Sequence, residues 1–201
     1  MRTWTTRAVP ALGALVLTAA LTGCNDSATD KGANSGAPKA DGTADAERTV
    51  YRLGEASPPQ ETSMKRSNGS TFTVTPVKVE TGTKADMENS GLKLDKSDGP
   101  QVPVYVTVKY AHTSGKAIPL GDMDDDLVVK TSGNQRTRAL IVLLGQATWP
   151  NCPAPDTEKQ VGAGQSETVC TAFLIPASQT AAAVELTQGY YNPPLEWPVK
   201  D

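Results

Sequence analysis

The sequence of 201 residues is short of the side chains that most catalytic and zinc sites require. It has one histidine, His112, and three cysteines. A catalytic triad needs a histidine beside a nucleophile and an orienting acid. Ser114 is too near in sequence for that geometry, and the surrounding residues favour an exposed turn. A glycine-rich phosphate loop and a nucleophile elbow are also missing. We therefore predict that the chain is not an enzyme and has no cofactor.

An excess of positive charge is missing as well. The chain has 19 basic and 22 acidic residues, which gives a formal net charge of −3. Binding to nucleic acid depends on clustered lysine and arginine side chains that neutralise phosphates. We therefore expect no nucleic-acid partner.

The chain also lacks an apolar run long enough to span a membrane. Its one long run, residues 8–21, has about 14 residues, whereas a spanning helix needs about 20. Arg2 and Arg7 precede this run, and no acidic residue comes before Asp26. A positive start, a short apolar middle and small residues before a cleavage point are typical of an export signal. The sequence predicts a lipoprotein signal peptide over residues 1–23.

The sequence LTGC, residues 21–24, resembles a bacterial lipobox. The resemblance implies that the sulfur of Cys24 carries a diacylglyceryl group and that cleavage falls between Gly23 and Cys24. Two acyl chains hold a protein stably at a bilayer. We therefore expect the mature chain at the cell membrane, anchored by lipid on its extracytoplasmic face. The alternative is ordinary secretion with a free Cys24 thiol.

Residues 24–48 comprise Cys24 and a segment of small residues with single charges. Such a segment cannot bury enough apolar surface to fold, so we predict a flexible, disordered linker. Its root-mean-square reach is about 25–30 Å. One domain, residues 49–201, is predicted to follow.

Cys152 and Cys170 remain once Cys24 is assigned to the lipid. Disulfides form in oxidising compartments, so we predict a bridge between the two. The alternative is a pair of buried thiols.

Alternation of apolar and polar residues dominates the predicted domain. Residues 101–110 place four valines and Tyr110 on one face, which predicts a half-buried strand. In residues 71–81 the alternation changes phase at Pro76, which favours a bulge, a break or an edge strand. Further strands are predicted near residues 50–53, 127–130, 139–144, 168–175, 183–186 and 195–199. Seven or eight short strands favour an all-β sandwich.

A resemblance to a known family extends over nearly all of residues 48–200. Its segments are YRLGE, GSTFTVTPVKVE, VPVYVTVKYAHTSGKAI and GAGQSETVCTAFLIP. They resemble the small immunoglobulin-like domain of actinobacterial lipoproteins of unknown function. The resemblance implies an immunoglobulin-like β-sandwich with no known catalysis. Cys152 and Cys170 are too close in sequence to form the inter-sheet bridge of antibody domains, so the role stays open.

The acidic stretch GDMDDD, residues 121–126, is a candidate metal site. Asp122, Asp124 and Asp126 offer the hard oxygen ligands that calcium prefers. An EF-hand loop is excluded, because Leu127 and Gly133 stand where that loop needs its glycine and its bidentate glutamate. A weak calcium site and a solvated acidic loop both stay open.

Trp149, Tyr190 and Tyr191 are the candidate binding residues. Exposed together, they could stack on sugar rings or anchor a partner protein; alternatively, they pack on the sandwich core.

The sequence thus predicts a lipid-anchored extracytoplasmic interaction module whose partner is an envelope protein or a wall polymer. The alternative is a small-ligand or calcium-binding lipoprotein.

Overall fold

The structure is a computed structural model, and it describes residues 48–95, 98–140 and 147–200. The predicted signal peptide, Cys24 and all but the last residue of the predicted linker lie outside the described residues. Among the helices of the described part, none has the length and apolarity that a bilayer crossing requires.

Ten strands, two short helices and a 3-10 turn make up the described chain. The strands are β1 (Gln60–Glu61), β2 (Thr71–Thr81), β3 (Gln101–Ser114), β4 (Ile118–Pro119), β5 (Leu127–Thr131), β6 (Arg136–Arg138), β7 (Gln160–Val161), β8 (Ser166–Pro176), β9 (Ala181–Leu186) and β10 (Leu195–Pro198). The helices are α1 (Lys84–Asn89) and α2 (Gly121–Asp124), and the 3-10 turn is Lys65–Ser67.

The strands form two four-stranded antiparallel sheets and a small ribbon. The first sheet has the order β1-β2-β3-β8 and the second has the order β10-β9-β5-β6, while β4 pairs with β7. One apolar core joins the two sheets, with Val106 and Phe173 from the first and Val184 and Trp197 from the second. The predicted all-β, immunoglobulin-like sandwich is confirmed. Its two sheets hold eight strands, of which six match predicted strands, whereas β1 and β6 were not predicted; the ribbon adds two more.

β3 shows the predicted alternation. Val104, Val106, Val108 and Tyr110 are all completely buried, because successive side chains of a strand point to opposite faces. Each fully buried valine stabilises the fold by about 1.5–3 kcal/mol relative to an exposed one.

The phase change at Pro76 is a β-bulge, which is one of the three predicted alternatives (a bulge, a break or an edge strand). The register between β2 and β3 shifts between Pro76 and Lys78, because proline has no amide hydrogen to continue the ladder. Val77 is the extra residue and stays 42% exposed.

The predicted strand at residues 139–144 is described only at its start, and residues 141–144 lie outside the described residues. Ala139 forms an antiparallel bridge with Phe173, and the Leu140 amide donates to the Ala172 carbonyl at 2.9 Å. The chain therefore leaves β6 in the second sheet and runs onto the edge of β8 in the first. The predicted opening strand is reduced to a bridge between Val50 and Glu196.

A second apolar cluster covers the outer face of the first sheet. Tyr105 and Ala172 form its sheet side, and Met87 from α1 packs on them. α1 starts with a capping box, in which Thr83 and Asp86 each accept a hydrogen bond from the other's backbone amide. Such a box satisfies two amides that have no partner inside the helix, so a helix of only six residues is held in place.

Candidate functional site

Asp122 is a structural residue. Arg66 donates to it from Nη2 at 2.6 Å, and the Ser67 hydroxyl donates at 2.8 Å. Burial raises the pKa of the Asp122 carboxyl, but the hydrogen bonds from Arg66 and Ser67 outweigh that effect and leave it below its usual value. The carboxylate ties α2 to the 3-10 turn.

Asp124 faces a different part of the molecule. It accepts hydrogen bonds from the Tyr110 hydroxyl and from the Thr171 hydroxyl, the latter at 3.1 Å. Burial raises the pKa of Asp124 above its usual value, and repulsion from Asp125 adds to the rise. The side chain joins the acidic turn to β3 and β8.

The three candidate calcium ligands do not converge in the described structure, so of the two alternatives that the sequence left open, this geometry counts against the calcium site. Asp126 is exposed, and its main-chain carbonyl accepts a hydrogen bond from the Thr187 amide at 3.0 Å. Nowhere in the described ranges do three or more histidine, cysteine, aspartate or glutamate side chains come close enough to hold a metal ion. The carboxylates of Asp122 and Asp124 serve contacts within the protein, whereas that of Asp126 accepts, from the described residues, only a long hydrogen bond from the Thr187 hydroxyl, at 3.4 Å.

Trp149 is only 7% exposed and belongs to the second apolar cluster. Its ring meets Tyr105 edge-on at a centroid distance of 5.8 Å. Its Nε1 has no hydrogen-bond acceptor in the described part of the chain. As a correction to the sequence prediction, Trp149 does not share an exposed surface with the two tyrosines.

The predicted disulfide between Cys152 and Cys170 is confirmed. Their Cα atoms lie 5.1 Å apart, within the usual range for a bridged pair. The bond ties the Trp149 segment to β8.

Tyr190 and Tyr191 are 92% and 93% exposed. Their rings meet edge-to-face, with centroids 5.1 Å apart. They lie in residues 187–194, between β9 and β10. Gly189 takes a positive φ of 72°, and the Asn192 side chain donates to the Gln188 carbonyl at 3.1 Å. We call these eight residues the tyrosine loop. Its own hydrogen bonds shape the turn, and they leave both rings in solvent.

A polar pocket of about 280 Å³ lies against the tyrosine loop. Its wall residues come from β1 and the turn after it, from β2, from the turn before β5, and from β9 and the tyrosine loop. They are Gln60, Glu61, Ser63, Phe72, Asp126, Leu186, Thr187, Gln188, Gly189 and Asn192. Sequence reasoning missed this pocket, because segments far apart in the chain build it and no local motif marks it.

The amide groups of the pocket direct hydrogens to the protein itself. Gln60 Nε2 donates to the Pro58 carbonyl at 2.8 Å, and Gln188 Nε2 donates to Gln60 Oε1 at 2.7 Å. Asn192 makes the bond within the tyrosine loop described above. The Glu61 carboxylate, in contrast, has no hydrogen bond or ion pair to any described residue. Each of these amides keeps a second hydrogen, so the pocket offers donors as well as acceptors, and its carboxylates are its charged acceptors.

The prediction that His112 is an exposed turn residue is wrong, because it lies inside β3 and is 1% exposed. Its Nδ1 is 2.9 Å from the Val161 carbonyl oxygen, and its Nε2 is 2.7 Å from the Ser114 carbonyl oxygen. A neutral imidazole donates only one such bond. Both ring nitrogens face main-chain oxygens, so the side chain joins β3 to β7.

An apolar groove of about 290 Å³ lies beside α1. Its apolar wall includes Met87, Leu92, Leu94 and Val102. It shares Met87, Leu92 and Leu94 with the second apolar cluster. Lys84 and Glu88 are the charged residues of its lining.

The chain was compared with protein families, curated proteins and solved structures. No protein-family model matches the chain, and no curated protein matches it. Among solved structures, it is similar to the crystal structure of MPT63, a secreted protein from Mycobacterium tuberculosis. The TM-score is 0.49 and the identity 12%, over 77% of this chain and 99% of the other. That likeness tests neither the lipid anchor nor a partner.

Proposed function

We propose that the chain is a lipid-anchored, extracytoplasmic interaction module with no catalytic role. Its tyrosine loop contacts an envelope protein or a wall polymer. The observation that carries this proposal is the pair of adjacent tyrosine rings, each more than nine-tenths exposed. A free aromatic ring leaves apolar surface in water, and burying it against a partner recovers that free energy.

The disulfide supports the location outside the cytoplasm. Such bonds persist in oxidising compartments and are rare where thiols are kept reduced. The bond between Cys152 and Cys170 is thus consistent with the export signal and the lipobox that the sequence contains. The support for the lipid anchor is the resemblance of residues 21–24 to a lipobox.

The tyrosine loop has the chemistry of an interaction hot spot. Tyrosine is enriched at such sites, because it combines a large apolar ring with a hydroxyl. It also has few rotatable bonds, so fixing it in a complex costs little entropy. Pro193 and Pro194 follow the tyrosines and limit the backbone freedom that binding would otherwise remove.

The experiment is cross-linking in producing cells, followed by capture of the chain. Wild type is compared with Tyr190→Ala/Tyr191→Ala. The matched control is Val77→Ala, which shortens another exposed apolar side chain, 42% exposed, away from the loop. We expect the double variant to lose the partner and the control to keep it. Equal recovery from all three chains would contradict the proposal.

The anchor is tested separately with Cys24→Ala. We expect this variant to leave the membrane fraction, because it can carry no acyl chains. A variant that stayed with the membranes would contradict lipid anchoring while leaving the tyrosine loop untouched.

Binding of a small ligand is the second candidate function, and the polar pocket favours it. At about 280 Å³ it is just below the range of pockets for small molecules, which begins near roughly 300 Å³. A ligand held wholly by the pocket would bind equally well to wild type and to Tyr190→Ala/Tyr191→Ala.

A further inference from the structure

The polar pocket has a one-sided charge. Glu61 and Asp126 are the charged residues of its lining, and both are acidic. Asp126 is exposed as a residue, but partial desolvation of its carboxyl raises the pKa of that group, and repulsion from Asp125 raises the pKa further. The Thr187 hydroxyl and the charge of Arg138 offset this only in part. A cation bound in the pocket would stabilise the ionised form of the Asp126 carboxyl against both effects.

The carboxylates of the pocket also set which hydrogen bonds a ligand can make there. Gln60, Gln188 and Asn192 each direct an amide hydrogen to another protein atom. The Thr187 hydroxyl points to the Asp126 carbonyl at 3.1 Å. Each amide keeps a second hydrogen, but the charged groups of the lining, Glu61 and Asp126, can only accept when they are ionised. A ligand that pairs with them must therefore carry donors, and a positive charge strengthens those bonds.

The size of the pocket and its apolar wall further restrict which kinds of ligand would fit. Phe72 and Leu186 are nearly fully buried, and they give the pocket an apolar wall. About 280 Å³ suits one long side chain better than an oligosaccharide. Lysine and arginine have an apolar stem and a charged, donor-rich tip. The exposed rings of the tyrosine loop add apolar faces against which the residues beside that side chain can pack.

We propose that the polar pocket receives a lysine or arginine side chain of a partner protein, whose backbone then lies across Tyr190 and Tyr191. This rests on the proposed function and names the chemistry of the partner. The cavity and its two carboxylates, of which that of Glu61 pairs with no described residue, select a basic side chain, and the two aromatic rings hold the residues beside it.

Calorimetric titration of the full chain, purified from producing cells, tests the proposal. The probe is the tripeptide acetyl-Gly-Arg-Gly-amide. Its matched neutral control carries citrulline in place of arginine, which keeps the shape and removes the charge. We expect the arginine peptide to bind, and Glu61→Gln/Asp126→Asn to weaken that binding about tenfold or more, because charge-assisted hydrogen bonds are lost.

Glu80→Gln is the control variant. It removes one acidic charge at a salt bridge with Lys78, away from the pocket, and we expect it to leave the binding of the arginine peptide unchanged. Glu61 makes no side-chain bond to the described chain, so its loss should not unfold the protein; melting curves check this.

Three results would overturn the inference. They are equal binding of the arginine and citrulline peptides, binding that Glu61→Gln/Asp126→Asn does not weaken, and absence of binding at millimolar peptide. Glucosamine is titrated as well. If it binds more tightly than the arginine peptide, the occupant is an amino sugar and the inference of a protein side chain is wrong. A cellular partner that Glu61→Gln/Asp126→Asn still captures and Tyr190→Ala/Tyr191→Ala loses would leave the proposed function intact.

Discussion

Reduction of the disulfide between Cys152 and Cys170 should weaken the fold by a calculable amount. The two cysteines are 18 positions apart in sequence. In the chain-entropy model, opening a loop of that length frees the unfolded chain by about 3 kcal/mol at 25 °C. For a domain of this size, that loss lowers the melting temperature by about 6–12 °C.

The loop that this disulfide closes contains β7, so reduction of the bond should also weaken the contacts that β7 makes. β7 pairs with β4, and its Val161 carbonyl faces His112. Loosening the loop therefore weakens the contact between the ribbon and the end of β3. Part of the loss then comes from the folded state, which adds to the entropic effect on the unfolded chain.

The assay is urea unfolding of the oxidised and the reduced chain, followed by circular dichroism. Cys152→Ala/Cys170→Ala is the control, because a reductant should not change its midpoint. If the oxidised and reduced chains unfolded with free energies within about 1 kcal/mol of each other, the entropic reasoning would be refuted. Two free thiols titrating in the untreated native domain would refute the bridge itself.

Two further predictions concern buried polar side chains. The folded-state pKa of Asp124 lies above its ordinary 3.8, so the folded chain keeps a proton that the unfolded chain has released. The unfolding free energy should therefore fall as pH rises from 3.8 through the folded pKa, and Asp124→Asn should remove that part of the fall; parallel curves for the two chains would contradict this. His112→Ala should cost about 2–4 kcal/mol in urea unfolding, because it leaves a cavity and an unpaired carbonyl. A change within about 0.5 kcal/mol, as for a surface residue, would restore the reading of His112 as an exposed turn residue.

The sequence was sufficient for the sandwich and for the inward face of β3. Alternation is a local property, so Val104, Val106 and Val108 could be assigned to the core directly. The burial of Tyr105 on the opposite face could not be predicted in this way. It depends on α1 and on Trp149, which the rest of the fold brings over that face.

His112 shows how pairing between strands overrides a local signal. The sequence after it, Thr-Ser-Gly, favours a turn. β3 nevertheless continues through Ser114, because the His112 amide donates to the Gln165 carbonyl at 3.0 Å and its carbonyl accepts from the Gly164 amide at 2.9 Å. Those partners are about fifty residues away in sequence, so no local pattern contains them.

Part of the candidate site could likewise be predicted from the sequence, and part could not. The exposure of Tyr190 and Tyr191 agrees with their position beside two prolines in a turn-rich segment, and the sequence could nominate them. The pocket beside them could not be found, because Glu61, Asp126 and Gln188 come from distant parts of the chain. For Asp122, the deciding partner is Arg66, 56 residues away, and that pairing leaves the acidic stretch without a cluster of free ligands.

The pairing of Ala139 and Leu140 with the edge of β8 affects how readily copies of this protein can associate through their strand edges. An open strand edge presents unpaired amides and carbonyls to which a neighbouring molecule can add its own strand. β8 is eleven residues long, and the bridge from Ala139 to Phe173 and the bond from Leu140 to Ala172 occupy its central part. The edge strands of the second sheet are short, β6 with three residues and an arginine at each end, and β10 with four residues. Neighbouring molecules would therefore meet short, charged or partly occupied edges there and along β8, which disfavours edge-to-edge pairing at high local concentration.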